Sequence, residues 1–236
     1  MKFSIAADLL EQYPLTHVGL VFIKDCDNKT ISPEVAYILR ESENHLRLRM
    51  EDKVLLELPE LKLWRETYKS FGAKKGRRVS IEAMAKRVQK GDSLPDISPL
   101  VDLYNAVSLR YIFPCGGEDL AHVKGDVTLG FASGNESFYR IGGEENEPPL
   151  PGEVVYKDDA GCLCRCWNWR EADRTKLTEN TQHAVLVIET LDPSRNKEFV
   201  DAMSHMTDLV KTLTGAQVEM YVLNKKSPEV EYEVSF

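Results

Sequence analysis

A chain of 236 residues that is 42% hydrophobic and 29% charged can bury a substantial core without disulfide staples, and its composition is that of an ordinary globular protein. The net charge of −8 argues against a protein whose whole surface binds nucleic acid. The opening "MKFSIAADLLEQYP" puts no long apolar run behind a basic start, and no later apolar stretch reaches membrane-spanning length, so the expectation is a cytoplasmic protein with no membrane or DNA partner.

In chain order, "THVGLVFIKD" reads as a strand followed by turn chemistry at Asp27 and Asn28. Ser32 and Pro33 then mark a helix start as N-cap and first helical residue. After Pro59, the residues Leu61, Trp64, Tyr68 and Phe71 recur at helical spacing and predict one core-facing stripe. Two glycines break "KSFGAKKGRR", and a short basic helix runs from Ser80 to Gly91, so residues 1–92 read as a mostly helical leading segment. From Lys62 to Lys90 the net charge is +8, which leaves −16 for the remainder. Such a segment is either a local phosphate-binding face or a solvated surface.

Ser98 and Pro99 open another helix, with Leu100, Leu103, Val107 and Tyr111 on or near its apolar side. Asp102 and Asn105, three apart, share a face of it. Pro114 and the Gly116-Gly117 pair are expected to stop it. Short strands follow to about residue 190: "GDVTLGFA", "ESFYRIGG", "GEVVYKDD", "CLCRCW" and "AVLVIETL". A helix with Phe199, Met203, Met206 and Val210 inward, then the strand "AQVEMYVLN", completes a βαβ unit. The predicted class is α+β, with a β-rich, sandwich-like central core over residues 93–236 flanked by helices, and the whole of 1–236 forms a single module.

Five cysteines (Cys26, Cys115, Cys162, Cys164, Cys166) without a secretion signal do not suggest a disulfide framework. Within "GCLCRCWNWREADRT", strand alternation would line Cys162, Cys164 and Cys166 on one face and Leu163, Arg165 and Trp167 on the other. Zinc sites usually pair cysteines with two residues between them and need a fourth ligand at comparable reach, and neither is present, so a small-residue core face is the better reading and metal or redox chemistry the weaker one. No P-loop, nucleophile elbow, dinucleotide fingerprint or histidine metal spacing is present. The glycine pairs at 116–117 and 142–143 serve either as turns or as bare backbone donors for an oxyanion. If the strand continues, Trp167 and Trp169 lie opposite Asn168 and Arg170; aromatic surface beside an amide and a guanidinium suits a planar base, an amino-acid side chain or a phosphate, or else the tryptophans are core.

The stretches "PLVDLYNAVSLRYIFPCGGEDLAHVKGDV", "YRIGGEENE", "EVVYKDDAG" and "ADRTKLTENTQHAVLVIE" together resemble the editing module formed by the third and fourth domains of the bacterial phenylalanyl-tRNA synthetase beta subunit, over about residues 98–190. The Trp-Asn-Trp-Arg run is similar to free-standing relatives of that module. The resemblance implies a hydrolase that cleaves the ester of mischarged aminoacyl-tRNA in trans, needing no cofactor, metal or covalent nucleophile; the alternative it leaves is a module that binds tRNA or a free amino acid without turnover. Editing answers a physical limit, since one pocket rejects only weakly a competitor differing by a methylene or hydroxyl.

Carried over by position, Asp102 and Asn105 match the family's helix motif, Asp119 the aspartate closing its turn and Gly143 the glycine of its Leu-Asp-Gly. Tyr104 replaces a threonine, the family histidine falls on Gly116, a phenylalanine on Glu118, the Leu-Asp-Gly aspartate on Gly142, and a late glutamate near Thr175. The resemblance thus implies Asn105, Gly116, Gly117 and Asn168 as catalytic, with Asp102, Tyr104, Glu118, Asp119, Gly142, Gly143, Glu144, Arg165, Trp167, Trp169 and Arg170 around the substrate. Within that set, Glu118, Glu144 or Asp119 would bind a substrate ammonium or orient water. Lys74, Lys75, Arg77, Arg78, Lys86 and Arg87 would contact tRNA phosphates.

Overall fold

The apolar run beginning at His17 becomes the organising strand. In the computed structural model, which describes residues 1–233, β2 (His17–Lys24) is an inner strand of a four-stranded antiparallel sheet. Its order is β3 (Cys115–Asp119), β8 (Ala184–Thr190), β2 and β9 (Gln217–Leu223). Alternate side chains of β2 enter different cores: Val18, Leu20 and Phe22 face a second sheet, whereas Val21 and Ile23 face α5 (Pro99–Tyr111) and α6 (Asn196–Thr214).

The second sheet has six strands in the order β10 (Glu229–Glu231), β1 (Lys2–Ile5), β4 (Val127–Phe131), β5 (Val154–Asp158), β6 (Gly161–Arg165) and β7 (Arg170–Glu171). Only β1 and β4 pair parallel. The two sheets meet through Phe3 of β1 and Phe22 of β2, ring centroids 5.1 Å apart. The helices α1 (Ala7–Gln12), α2 (Pro33–Arg49), α3 (Pro59–Ser70) and α4 (Ser80–Gln89) complete six among the described residues. Their buried residues Leu39, Leu61, Trp64 and Val88 join the same core as Phe3 and Phe22. The architecture is mixed α+β, as the patterning predicts.

Local chemistry explains the helix ends. Ser32 Oγ accepts from the Val35 N–H at 3.3 Å with Pro33 in the first turn, so the expected cap forms. Ser98 occupies the N-cap position of α5, but its hydroxyl makes no capping bond. That helix ends at Ile112, held left-handed at φ 54, before Pro114 and the glycine pair are reached. Gly215, at φ 70, closes α6, whose Phe199, Met203, Met206 and Val210 point inward as expected.

Several expectations are corrected. Within the mostly helical residues 1–92, β1 and β2 are interior strands of the two sheets, a placement that sequence periodicity cannot reveal because strand pairing is non-local. Gly116 and Gly117 lie inside β3, not in a turn, whereas Gly142 does occupy a turn with φ 70. "ESFYRIGG" forms no strand beyond an isolated bridge between Arg140 and Ala172. The βαβ unit is present, but β2 lies between its two strands. Positions 234–236 of the expected 93–236 core lie outside the described residues. Among the described residues no helix is long and apolar enough to cross a membrane.

The three alternating cysteines do not share a face. Tyr156 pairs with Cys164 and Lys157 with Cys162, so Leu163 is the extra residue of a bulge. Cys162 consequently packs with Phe138 and Val155 in a small cluster of its own, while Cys164 and Cys166 enter the main core. All five cysteines are buried free thiols, and burial pushes Cys166 up to about 12.

Candidate functional site

Where the sheets diverge, α5, β3, β8, the β6–β7 turn and the start of α4 enclose a cavity of about 220 Å³. Helix α5 is buried on nearly every side between α2 and α6, and it delivers Tyr104 and Asn105 to the wall. Strand β3 contributes Gly116 to Glu118, and β8 contributes Val187 and Glu189. The floor is apolar, with Phe3, Val127 and Leu163. Asn105 is nine-tenths buried, and its amide has no hydrogen-bond partner among the described residues. Such an amide is available to a ligand as both donor and acceptor.

The turn carrying Asn168 is strained. Cys166 and Trp167 both adopt left-handed backbone, φ 47 and 66, which ends β6 at Arg165 and overturns the continued strand alternation. The fold holds them there: Cys166 N–H donates to Glu153 Oε1 at 3.1 Å, and Trp167 N–H to the Val154 carbonyl at 2.6 Å. The Trp167 indole is fully buried edge-on to Tyr13 and Trp64, each at 5.3 Å between centroids. Trp167 is therefore a core anchor whose ring backs the cavity. Trp169 is the accessible one, with Arg77 at 4.6 Å and Arg170 at 5.6 Å from its ring.

A hydrogen-bonded chain crosses the site. Tyr68 of α3 donates its hydroxyl to Asn168 Oδ1 at 2.9 Å, and Asn168 Nδ2 donates to Glu189 Oε2 at 2.6 Å. Tyr156 donates to the other oxygen of Glu189. Burial nevertheless raises the Glu189 carboxyl to about 7. Glu171, on β7, accepts from the Gly117 N–H at 3.3 Å, and burial raises it also to about 7. Burial first, then the charge of Glu171, pushes Glu118 well above the carboxylate range. Three acidic side chains thus meet in one small cavity.

The glycines have a packing reason. A Cβ on Gly116 would lie 2.7 Å from Glu171 Oε1, and one on Gly117 would lie 2.7 Å from Leu186 Cδ2 and 2.9 Å from Leu177 Cδ1. The Gly117 N–H is engaged by Glu171 at 3.3 Å.

Beside the cavity runs a basic groove between α3, α4 and the 71–79 loop, lined by Arg65, Lys69, Lys74, Lys75, Arg77, Arg78 and Lys86. The two share a wall, since Tyr68 lines the groove and the Ser80 N–H donates to the Asn168 carbonyl at 3.2 Å. Not every cation is available. Arg77 is bound to Glu153 at 2.7 Å and to Cys166 Sγ at 3.1 Å, Lys86 to Glu82 at 2.6 Å, and Arg87 donates to the Ser93 carbonyl at 2.8 Å. Lys74 and Lys75 are exposed, and Arg78 is partly so.

The cavity brings together Tyr104, Asn105, Gly116, Gly117, Glu118, Trp167, Asn168, Trp169 and Arg170. It does not include Asp102, Asp119, Gly142, Gly143, Glu144 or Arg165. Asp102 caps the preceding loop through the Ile97 N–H at 2.9 Å, and burial raises it to about 6. Asp119 is occupied by the Ala121 N–H at 3.0 Å and by Thr181 at 2.6 Å. Gly142 and Gly143 form a rim turn beside Ile141, and Glu144 is exposed beyond it. Arg165 is buried against Glu153 at 2.9 Å. Glu171, Glu189, Tyr156 and Tyr68 are wall or chain residues that sequence reasoning missed. Only Glu189 carries a signal, as a lone acid inside the apolar run "AVLVIETL".

No curated protein matches this chain. A solved structure, an N-terminal fragment of the phenylalanyl-tRNA synthetase beta subunit from Pyrococcus horikoshii, is similar at 10% identity and a TM-score of 0.46, covering 92% of this chain and 49% of that one. The chain thus spans about half the length of that structure. The B3/4 domain family matches residues 63–215, which include α5, β3, both sides of the cavity and the basic groove. With more than half its length matched, the chain belongs to the B3/4 domain family, the domain type of the phenylalanyl-tRNA synthetase beta subunit.

Proposed function

We propose that residues 1–236 act as one module that hydrolyses the ester of mischarged aminoacyl-tRNA in trans. One observation carries this reading: an amino-acid-sized cavity with unpartnered polar groups shares a wall with a basic groove. The groove holds backbone phosphates while the 3′ aminoacyl group enters the cavity. Asn105 and Asn168 orient the attacking water and the developing oxyanion, a task for fixed amides rather than for a covalent nucleophile. Asn168 is held for this by Tyr68 and Glu189. Glu171 supplies a buried carboxyl that, once ionised, can take a proton from that water.

The test is deacylation across a panel of mischarged tRNAs. One class is hydrolysed, and Asn105→Ala lowers that rate about 100-fold while leaving the thermal midpoint in place. Binding of tRNA or amino acid with no turnover of any member would replace the hydrolase by a non-catalytic binding module, a reading that the glycine in place of the family histidine favours.

The groove gives a separate prediction. Replacing Lys74, Lys75 and Arg78 by Ala should reduce the slope of log affinity for tRNA against log salt by about two, with little effect on folding. An unchanged slope would remove the groove from the tRNA interface. Arg77→Ala is the wrong probe, because that side chain is committed to Glu153 and Trp169.

A further inference from the structure

The acids of the cavity lack a cation. Arg140, on the rim, is paired with Glu147 at 3.2 Å, Arg174 with Asp158 at 2.7 Å, and Arg170 lies over Trp169. Among the described residues no lysine or arginine forms an ion pair with Glu118, Glu171 or Glu189. Glu189 is satisfied by Tyr156 and Asn168, and Glu171 takes only the Gly117 N–H. Glu118 is 7% exposed and its Oε2 makes no well-formed hydrogen bond; the nearby Thr175 hydroxyl and the more distant Arg174 charge offset its burial only in part. The wall also holds the Ser80 hydroxyl and the Trp167 indole N–H without well-formed hydrogen bonds, and the Asn105 amide, nine-tenths buried, offers its carbonyl oxygen as a further acceptor. Buried acceptors left in this state are costly unless a ligand supplies donors.

We propose that the cavity is a primary-ammonium site, in which Glu118, assisted by Glu171 and the Asn105 carbonyl oxygen, takes a –NH3+ group of the ligand. An ammonium brings three donors and a positive charge, and it would ionise the carboxyls that burial otherwise keeps protonated. The surrounding Phe3, Tyr104 and Leu163 exclude a large hydrated cation and favour an organic amine carrying apolar carbon. The inference rests on the deacylase reading for the ligand being an aminoacyl group, and it restricts the substrate to acyl groups with a free amine. An α-ammonium held at Glu118 sets the ester carbonyl two bonds away, within the part of the wall formed by Asn105 and Glu171.

Binding to the intact chain, measured by calorimetry with tRNA-free probes, tests it. Phenylalaninamide should bind at least about tenfold more tightly than N-acetylphenylalaninamide, and Glu118→Gln should erase that preference. Glu171→Gln should weaken it, and retained tRNA binding shows that each variant is folded. A second pair separates the amine's source: if Nα-acetyl-lysinamide binds and phenylalaninamide does not, the site still takes an ammonium, but from a side chain. Equal binding of free and acetylated amines, a preference surviving in Glu118→Gln, or no binding of any amine overturns the proposal. Its failure is distinct from that of the deacylase. Equal hydrolysis of N-acetylated and free aminoacyl-tRNA sinks the ammonium site alone, whereas amine binding without deacylation of any tRNA sinks the hydrolase alone.

Discussion

Glu153→Gln will destabilise the folded chain by about 3–5 kcal/mol, because it leaves a buried guanidinium without its counter-charge. Glu153 is 2% exposed and holds Arg165 through both carboxylate oxygens, at 2.9 and 3.0 Å, and Arg77 at 2.7 Å. It also accepts the Cys166 N–H, so it braces the left-handed turn that presents Asn168. Burial alone would raise its pKa, but Arg165, the Leu150 N–H and Arg77 outweigh that and hold it at about 2. Its contribution is therefore complete above the unfolded carboxylate range and is lost as pH falls toward 2. Urea unfolding at pH 7 checks the first claim, and a loss below about 1 kcal/mol would show that Arg165 finds other partners or water. If the chain deacylates tRNA as proposed, a partial loss of that activity accompanies it through the turn.

Stability should fall as pH rises from about 4.5 to 7, by up to about 3 kcal/mol for Glu189 alone. The sign follows from proton counting. Burial raises the folded carboxyl to about 7, so within this window the folded chain keeps a proton that the unfolded chain has released. Raising the pH removes that proton at the expense of the folded state. Glu171, also about 7, and Asp102, about 6, act in the same direction. Urea midpoints at pH 5 and pH 8 should differ accordingly, and Glu189→Gln should remove a share of the difference. Identical midpoints for the parent chain at the two pH values would refute the buried, protonated state. An amine ligand should narrow the same difference, since it favours the ionised carboxyls only when bound.

The cavity illustrates how a small fold combines two kinds of side chain. Arg165 and Trp167, neighbours of Asn168 in sequence, are structural: one neutralises Glu153 and the other fills the core between Tyr13 and Trp64. Asn168 and Trp169 are left facing the cavity because the two left-handed residues before them rotate the chain. Strain of this kind is retained only where surrounding contacts over-determine it, and here Glu153, Val154 and the Trp167 ring do so.

Much of this protein is legible in its sequence. Apolar spacing locates α3, α5 and α6, the Ser-Pro dipeptides mark the starts of α2 and α5, and the charge count isolates the basic segment. The shared face of Asp102 and Asn105 is a property of helical spacing, yet Asp102 turns to the Ile97 N–H and only Asn105 reaches the cavity. What the sequence determined are features that depend on neighbours within a few residues: helix periodicity, caps and local charge. Tertiary structure alone decided that β1 and β2 enter the sheets, that Gly116 and Gly117 form an edge strand beside Glu171, and that Glu118, Glu171 and Glu189 meet. These depend on pairing between strands distant in the chain and on burial, which changes what a carboxyl is at neutral pH, and neither is encoded in the spacing of adjacent residues.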